Sequence, residues 1–484
     1  MAGPRAKRIN IPLRRVAVLC AAMMFAVLAN ITYIQGFRSA GLLADPRNQR
    51  LLIARFDHPR GDILTRDGTV IARSRRAPGR FEYRRRYPEG ELYAPVTGYV
   101  SLYGVTGIEQ AEDARLSGED PKVRVRSLVR DGTVDGADVR LTIDADAQRA
   151  AYEALRGTGS RGAAVAIDPA TGAILALASY PSFDPNRYTT FDADQLTRAD
   201  RRLRADPAHP LLNRALNQNY PPGSTFKIVT AAAALAAGHH VSSTHVASPA
   251  RMLLPGTATY LRNSGGESCG DGRPSLAYAF QVSCNTTFAG LGLALGQNVL
   301  GRQAEAFGFN TDDLAVPLPV SRSVYPSGLD QAQTAMSAIG QHDDRATPLQ
   351  IALLSAAVAN DGTLMRPYLV EEVRLADGST IQRAEPAEYR ATMGADVANQ
   401  LTAMMVAVTQ PGGTGTAAAI PGIAVAAKSG TSETVAGAED HAVFTAFAPA
   451  DAPRVAVGVL VEHAGFGGDV AAPIARAILQ AALS

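Results

Sequence analysis

A run of uncharged residues near the amino terminus constrains this chain more than any other feature. Val16 to Ile34 comprises nineteen residues without a charge, and as a helix it would span roughly 28 Å, close to a bilayer core. Five basic residues and no acidic one precede it, and such flanks stay in the cytoplasm. The run therefore predicts a single-pass transmembrane anchor at 16–34, a cytoplasmic tail at 1–15 and an extracytoplasmic remainder. A cleaved signal peptide is the alternative, but the required small-residue cleavage motif is poor.

Cysteine usage fits an extracytoplasmic placement. Cys20 lies in the apolar run, which leaves Cys269 and Cys284 fifteen positions apart in an oxidising space. A bridge across such a loop would contribute about 3 kcal/mol in the loop-entropy model. These two residues are therefore a disulfide candidate, with two free thiols as the alternative.

The rest of the chain divides into two regions of different pattern. Residues 35–140 are irregular and rich in arginine, with turn signals that predict a β-rich module with little core of its own. The arginine run is most simply a solvated face. Residues 141–484 predict an α+β domain with an antiparallel sheet flanked by helices, and a last helix opening at Pro473. Two hairpins are expected in that domain: 163–167 with 174–179, and 442–448 with 454–462.

Lysine is scarce, since only four of the 47 basic residues are lysines. Basic and acidic residues nearly cancel at a net charge of +2, so no field for nucleic acid is expected. Arginine cannot lose its proton in a protein, whereas a buried lysine can. The four are Lys7, Lys122, Lys227 and Lys428.

The segment from Tyr220 to Lys227 (YPPGSTFK) carries the candidate chemistry. Its prolines and glycine place Ser224 at or near a helix amino terminus, and Lys227 shares the helical face of Ser224. A helix start offers unpaired N–H groups to a developing oxyanion. A lysine buried among apolar residues can be neutral enough to activate a serine. Ser-x-x-Lys alone is a weak signal, because an N-cap serine and a surface lysine fit most such matches.

Two further motifs strengthen this interpretation. Ser283-Cys284-Asn285 follows, and Lys428-Ser429-Gly430-Thr431 then closes an apolar strand. Ser-x-x-Lys, Ser-x-Asn and Lys-Ser-Gly, in this order, form the signature of penicillin-recognising serine enzymes. The chain resembles the class B penicillin-binding proteins, most of all their actinobacterial A type. Other segments resemble landmarks of that family: Arg60 to Ile63, Gly104 to Glu109, Ser182 to Asn186, Thr347 to Gln350 and Ala448 to Asp451.

The resemblance implies a peptidoglycan D,D-transpeptidase with the penicillin-binding fold. It implies a pedestal domain of the dimerisation type at 35–140 and a transpeptidase domain at 141–484. Ser224 would attack the carbonyl between the terminal D-alanines of a stem peptide, and Lys227 would accept its proton. An amine of a neighbouring stem would then resolve the acyl-enzyme into a crosslink. β-Lactams would acylate the same serine.

The remaining motif residues receive roles from the same resemblance. Ser283 would relay a proton to the departing D-alanine, Asn285 would orient the substrate amide, and the charge of Lys428 would help keep Lys227 neutral. Ser429 and Thr431 would hold the substrate carboxylate. The backbone N–H groups of Ser224 and Thr431 would form the oxyanion hole. The substrate-binding candidates are Ser429, Gly430 and Thr431.

The resemblance also implies surroundings for the enzyme. No metal or organic cofactor is implied. The protein would sit in a bacterial cytoplasmic membrane with its catalytic domain outside, beside a glycan polymerase and proteins of division or elongation.

Three alternatives remain open from the sequence. A D,D-carboxypeptidase or β-lactamase-like hydrolase would share the motifs, although no Glu-x-x-Leu-Asn segment follows Asn285. A mainly scaffolding role beside a glycan polymerase is the second. A Ser-His-Asp hydrolase is the third, on the match Gly266 to Gly270 (GESCG), but both flanks of that match have loop composition.

Overall fold

A computed structural model describes residues 6–38, 55–130, 135–433 and 438–484. Part of the predicted cytoplasmic tail (1–5) and the residues 39–54 of the predicted pedestal lie outside these ranges. The chain divides into two compact units: Met1–His58 with Ala77–Tyr83, and Pro59–Arg76 with Arg84–Ser484.

The first unit is dominated by one long apolar helix. The helix Ala6–Tyr33 continues into a π-helical turn, Ile34–Arg38. Within its stretch Ile11–Gly36, eighteen consecutive residues have a mean hydropathy of 2.1, and none of them is buried by the rest of the protein. By length and composition it can cross a membrane, which agrees with the anchor predicted at 16–34.

A five-stranded antiparallel sheet, here called the central sheet, organises the second unit. Both predicted hairpins are present, and they pair with each other through Val455–Val461 and Gly162–Ile167. The helix Pro348–Ala359 packs closely on the strand Val455–Val461, because Gly458 has no side chain that would overlap the backbone of Ala352. The helices Ala145–Gly157 and Gly467–Leu483 also pack on this sheet. The strand order is Ala426–Ser432, His441–Ala448, Val455–Val461, Gly162–Ile167 and Ile174–Tyr180.

The last helix begins at Gly467, so the predicted start at Pro473 is wrong. Pro473 lies inside the helix. Gly467 and Gly468 resemble helix breakers in the sequence, but they mark close packing. A side chain at Gly467 would overlap the carbonyl oxygens of Gly430 and Val443.

A second, mixed sheet of six strands, here called the pedestal sheet, contains strands from the region of the predicted pedestal. Two of its strands, Val370–Arg374 and Thr380–Arg383, come from beyond the boundary predicted at residue 140. They complete the sheet by pairing with Asp138–Leu141. The strand order is Thr380–Arg383, Val370–Arg374, Asp138–Leu141, Ile63–Leu64, Val70–Arg76 and Tyr83–Arg86.

The arginine run in this region is not only a solvated face. Arg60 and Arg85 are buried around Glu109, with nitrogen to oxygen distances of 3.1 and 2.5 Å. Burial alone would raise the pKa of Glu109, but the two guanidinium groups outweigh it and hold that pKa below its usual value. Buried ion pairs therefore help to organise this small module.

The remaining elements are short. Three antiparallel strand pairs are Val100–Ser101 with Gly104–Val105, Arg251–Leu253 with Tyr260–Arg262, and Thr363–Met365 with Glu388–Ala391. Turns of 3₁₀ helix are Pro185–Tyr188, Gly223–Phe226 and Thr416–Ala418. Further helices are Gly90–Thr97, Gly107–Ala111, Asp113–Leu116, Pro121–Arg130, Ala193–Ala205, Arg214–Asn217, Lys227–Ala236, Leu276–Gln281, Asn285–Leu295, Gln297–Ala306, Gln331–Ser337 and Ala395–Thr409.

Candidate active site

Ser224 lies in the 3₁₀ turn Gly223–Phe226, which leads directly into the helix Lys227–Ala236. The turn lies against the edge strand of the central sheet. Gly223 has a φ of +53°, and a Cβ added there would lie 2.5 Å from the carbonyl oxygen of Thr431. Only glycine therefore allows the turn to approach this strand so closely.

The side chain of Lys227 is completely buried and is held by the Ser-x-Asn segment. Its Nζ donates to the carbonyl oxygen of Ser283 at 2.9 Å, to the hydroxyl of Ser283 at 3.2 Å and to Oδ1 of Asn285 at 2.7 Å. The structure thus brings these three predicted site residues together.

Lys428, in the edge strand of the central sheet, also contacts Ser283. It is also completely buried, and its Nζ donates to the hydroxyl of Ser283 and to the carbonyl oxygen of Ser429, both at 2.8 Å. Ser283 has a φ of +61°, which is uncommon for a residue other than glycine. The strained backbone of Ser283 places its hydroxyl between two lysine nitrogens.

Burial sets the protonation of both lysines. It lowers the pKa of Lys227 well below the usual value, and the nearby charge of Lys428 lowers it further. Burial also lowers the pKa of Lys428, to about 7. The rings of Phe288 and Phe280 lie 5.6 Å from Nζ of Lys227 and Lys428, respectively. Burial therefore favours the unprotonated amine at Lys227, whereas Lys428, with a pKa of about 7, keeps part of its charge at neutral pH.

Ser224 and Lys227 are neighbours along the turn, but their side chains do not form a hydrogen bond in the part of the chain that the structure describes. Nζ of Lys227 points to Ser283 and Asn285 instead. Catalytic hydrogen bonds often close only when the substrate is bound, so this geometry leaves the pair able to react.

The edge strand presents the backbone of Thr431 to the turn. Nε2 of Gln341 donates to the carbonyl oxygen of Thr431 at 3.2 Å, so this carbonyl points away from the neighbouring strand. In an antiparallel sheet the N–H of a residue points to the same side as its carbonyl. The N–H of Thr431 therefore faces the open edge where Ser224 lies.

The two other residues of the third motif are packed against protein groups. The hydroxyl of Ser429 donates to the hydroxyl of Thr414 at 2.6 Å. A Cβ at Gly430 would lie 3.0 Å from the methyl group of Thr225 and 3.2 Å from the carbonyl oxygen of Pro222. A side chain at 430 would therefore crowd the serine turn, and the neighbouring groups would have to shift by a few tenths of an ångström.

Sequence reasoning missed Gln341 and Thr414 as members of this site. Gln341 stands in no recognisable motif, and only the folded chain brings it to Thr431. Thr414 lies in a short glycine-rich segment, Gly412 to Gly415, and that composition was a signal for a loop near a ligand.

Cys269 and Cys284 are joined by a disulfide in the structure. Cys284 is the N-cap residue of the helix Asn285–Leu295. The bridge therefore ties the loop before the helix Leu276–Gln281 to the residue that separates Ser283 from Asn285.

Two family models match the chain. Residues 162–480 match the penicillin binding protein transpeptidase domain, and residues 60–139 match the penicillin binding protein A dimerisation domain.

Similar proteins match over nearly the whole length. The chain is 45% identical to the peptidoglycan D,D-transpeptidase PbpA of Mycolicibacterium smegmatis, over 98% of this chain and 99% of that protein. It is 42% identical to the protein of the same name from Mycobacterium tuberculosis, with the same coverage. The structure is similar to penicillin-binding protein A from M. tuberculosis in its ceftriaxone acyl-enzyme complex. That match has a TM-score of 0.86 and 40% identity, and it covers 89% of this chain and 100% of that chain.

Proposed function

The chain belongs to the penicillin-binding protein transpeptidase family, and from this premise we propose that Ser224 is its nucleophile and Lys227 its general base. The chain is a peptidoglycan D,D-transpeptidase that is acylated by β-lactams. One observation carries the assignment of residues: two buried lysines converge on the hydroxyl of Ser283 directly behind the serine turn.

The first step needs an unprotonated Lys227. A neutral amine has two hydrogens and one lone pair, and the carbonyl oxygen of Ser283 and Oδ1 of Asn285 can accept both hydrogens. The lone pair then faces the hydroxyl of Ser283, 3.2 Å away, and takes the proton of Ser224 once the bound substrate has brought the two side chains together. As this proton leaves, Oγ forms a bond to the carbonyl carbon of the penultimate D-alanine.

The oxyanion that develops is stabilised by the backbone N–H groups of Ser224 and Thr431. The C–N bond to the terminal D-alanine then breaks, and the leaving nitrogen takes a proton from Lys227 through the hydroxyl of Ser283. The product is an ester on Ser224. An amine of a second stem attacks this ester, transfers its proton back along the same route and releases the serine.

The remaining site residues bind the substrate in this proposal. Asn285 orients the amide of the donor stem, and Ser429 and Thr431 hold its terminal carboxylate beside Gly430. The charge of Lys428 favours this anion and opposes protonation of Lys227.

The long apolar helix anchors the protein in the cytoplasmic membrane, with the catalytic domain outside. We assign residues 35–140 to a pedestal and 141–484 to the transpeptidase domain, the latter supplying two strands to the pedestal sheet. A membrane glycan polymerase and proteins of division or elongation are the proposed partners.

Mass spectrometry of the benzylpenicillin-treated full chain in detergent tests the nucleophile. The adduct is expected on the peptide that contains Ser224, and Ser224→Ala should abolish it. Ser268→Ala is the matched control, because Ser268 is the serine of the competing Gly-x-Ser-x-Gly match; this variant should keep the adduct. An adduct that survives Ser224→Ala would refute the assignment.

A further inference from the structure

The hairpin Arg251–Leu253 with Tyr260–Arg262 presents an unusual outer face. Arg251 is paired directly with Arg262, and Leu253 with Tyr260. All four side chains are exposed, whereas Leu261 between them is buried. Like charges directly opposite each other on an antiparallel pair destabilise it.

Nothing within the described residues neutralises this pair of charges. Neither Arg251 nor Arg262 forms an ion pair with a carboxylate there. The guanidinium carbon of Arg251 instead lies 4.9 Å from the ring centroid of Tyr260, diagonally across the hairpin. The ring supports the position of Arg251 without removing its charge.

This hairpin is attached to the catalytic centre by hydrogen bonds. Nδ2 of Asn285 donates to the carbonyl oxygen of Arg262 at 3.1 Å, and Oδ1 of the same amide accepts from Nζ of Lys227 at 2.7 Å. Two hydrogen bonds therefore connect the backbone of Arg262 to the proposed general base. The next residue, Asn263, accepts from the backbone N–H of Thr286 at 3.0 Å, which fixes the end of the hairpin.

Arg251 and Arg262 are exposed and form no ion pair with a carboxylate of the described residues, and the backbone of Arg262 is hydrogen-bonded to Asn285. Two such guanidinium groups side by side can bind an anion. The planar fork of a guanidinium group matches a carboxylate with two parallel hydrogen bonds. A peptidoglycan stem peptide extends away from its D-alanyl-D-alanine end and can carry carboxylates on its preceding residues.

We propose that Arg251 and Arg262 bind a carboxylate carried by the donor stem peptide upstream of its D-alanyl-D-alanine end. The pair thereby favours stems with a free carboxylate over stems in which it is converted to a carboxamide. This inference rests on the proposed function, because it needs the donor stem to lie between Ser224 and Asn285.

Competition against penicillin acylation tests the proposal on the full chain in detergent. Two synthetic pentapeptides ending in D-alanyl-D-alanine, identical except for a carboxylate or a carboxamide on the third residue's side chain, compete with a fluorescent penicillin for the site. We expect the wild-type inhibition constant to be about fivefold lower for the carboxylate peptide. Added salt should reduce this difference.

Arginine variants then locate the preference. The double variant Arg251→Gln with Arg262→Gln should have the same inhibition constant for both peptides. If Arg262 is replaced by lysine instead of glutamine in this double variant, part of the difference should return. Arg198→Gln with Arg202→Gln replaces two exposed arginines on the helix Ala193–Ala205. This control removes the same number of positive charges elsewhere and should leave the preference intact.

Two results would overturn the proposal: equal or absent competition by the two peptides in the wild type, or a preference that survives the double substitution. Neither result would contradict the assignment of Ser224, because acylation by the fluorescent penicillin is also measured without peptide for every variant. Loss of that acylation in the wild type would count against the proposed function instead.

Discussion

Nζ of Lys428 donates a 2.8 Å hydrogen bond to the hydroxyl of Ser283, joining the central sheet to the helical side of the site. The same hydroxyl accepts from Lys227 at 3.2 Å. Protons can therefore pass between the two amines through one serine. This arrangement makes Ser283 the residue whose loss should affect catalysis without removing the nucleophile.

Ser283→Ala should slow acylation by benzylpenicillin by about 10²- to 10⁴-fold, the usual contribution of a positioned proton-transfer group. The rate constant for formation of the covalent adduct measures this effect. Ser355→Ala removes another buried serine hydroxyl, one that contacts Thr445 in the core, and it should leave the rate near that of the wild type. A wild-type rate in Ser283→Ala would exclude the relay.

Stability should depend on pH through Lys428. Burial lowers its pKa to about 7 in the folded protein, against a usual value of 10.5. Between these values the unfolded chain binds more protons than the folded chain, so the free energy of unfolding rises with pH. One such group contributes at most about 1.4 kcal/mol per pH unit. Urea unfolding from pH 7 to 10 should show a smaller slope for Lys428→Met, and equal slopes would contradict this account.

Gly223→Ala should displace the serine turn from the edge strand, because the added methyl group would meet the carbonyl oxygen of Thr431. A displacement near 1 Å at a reacting group costs about 10²-fold in rate. Gly238→Ala is the matched control, since Gly238 also has a positive φ, +76°, but no atom lies within 4 Å of its added Cβ. Acylation rates of the two variants should differ by that factor. Similar rates would show that close contact at Gly223 is unimportant.

The disulfide can be tested by counting thiols in the denatured full chain. Without reduction, alkylation should modify one cysteine, Cys20, and after reduction it should modify three. Cys269→Ser with Cys284→Ser should lower the free energy of unfolding by about 3 kcal/mol, as expected for a loop of this length. Three reactive thiols before reduction would rule out the bridge.

Much of the fold was predictable because it depends on local patterns. The apolar run at 16–34 and both hairpins of the central sheet follow from periodicity and turn residues alone. The start of the last helix was misplaced because Gly467 and Gly468 serve tertiary contacts, with the backbones of Gly430 and Thr414 respectively, that no local pattern reveals. The strands Val370–Arg374 and Thr380–Arg383 could not be assigned to the pedestal sheet, since their partner lies more than 200 residues earlier.

The candidate site was predictable to the extent that its residues stand in motifs. Ser224, Lys227 and Lys428 were found by residue type and order. Gln341 was not, because its role comes from a single contact with Thr431 formed by folding. The positive φ of Ser283 was also invisible in the sequence, since serine does not favour that conformation.

The central claim is that Lys227 must lose a proton to activate Ser224. The most direct measurement is the intact mass of Lys227→Arg after treatment with benzylpenicillin, beside Lys122→Arg, which changes an exposed lysine in the helix Pro121–Arg130. Arginine keeps the charge but cannot act as a base near neutral pH. We predict no adduct on Lys227→Arg and a full adduct on Lys122→Arg. A wild-type yield of adduct on Lys227→Arg would contradict the assignment of the base.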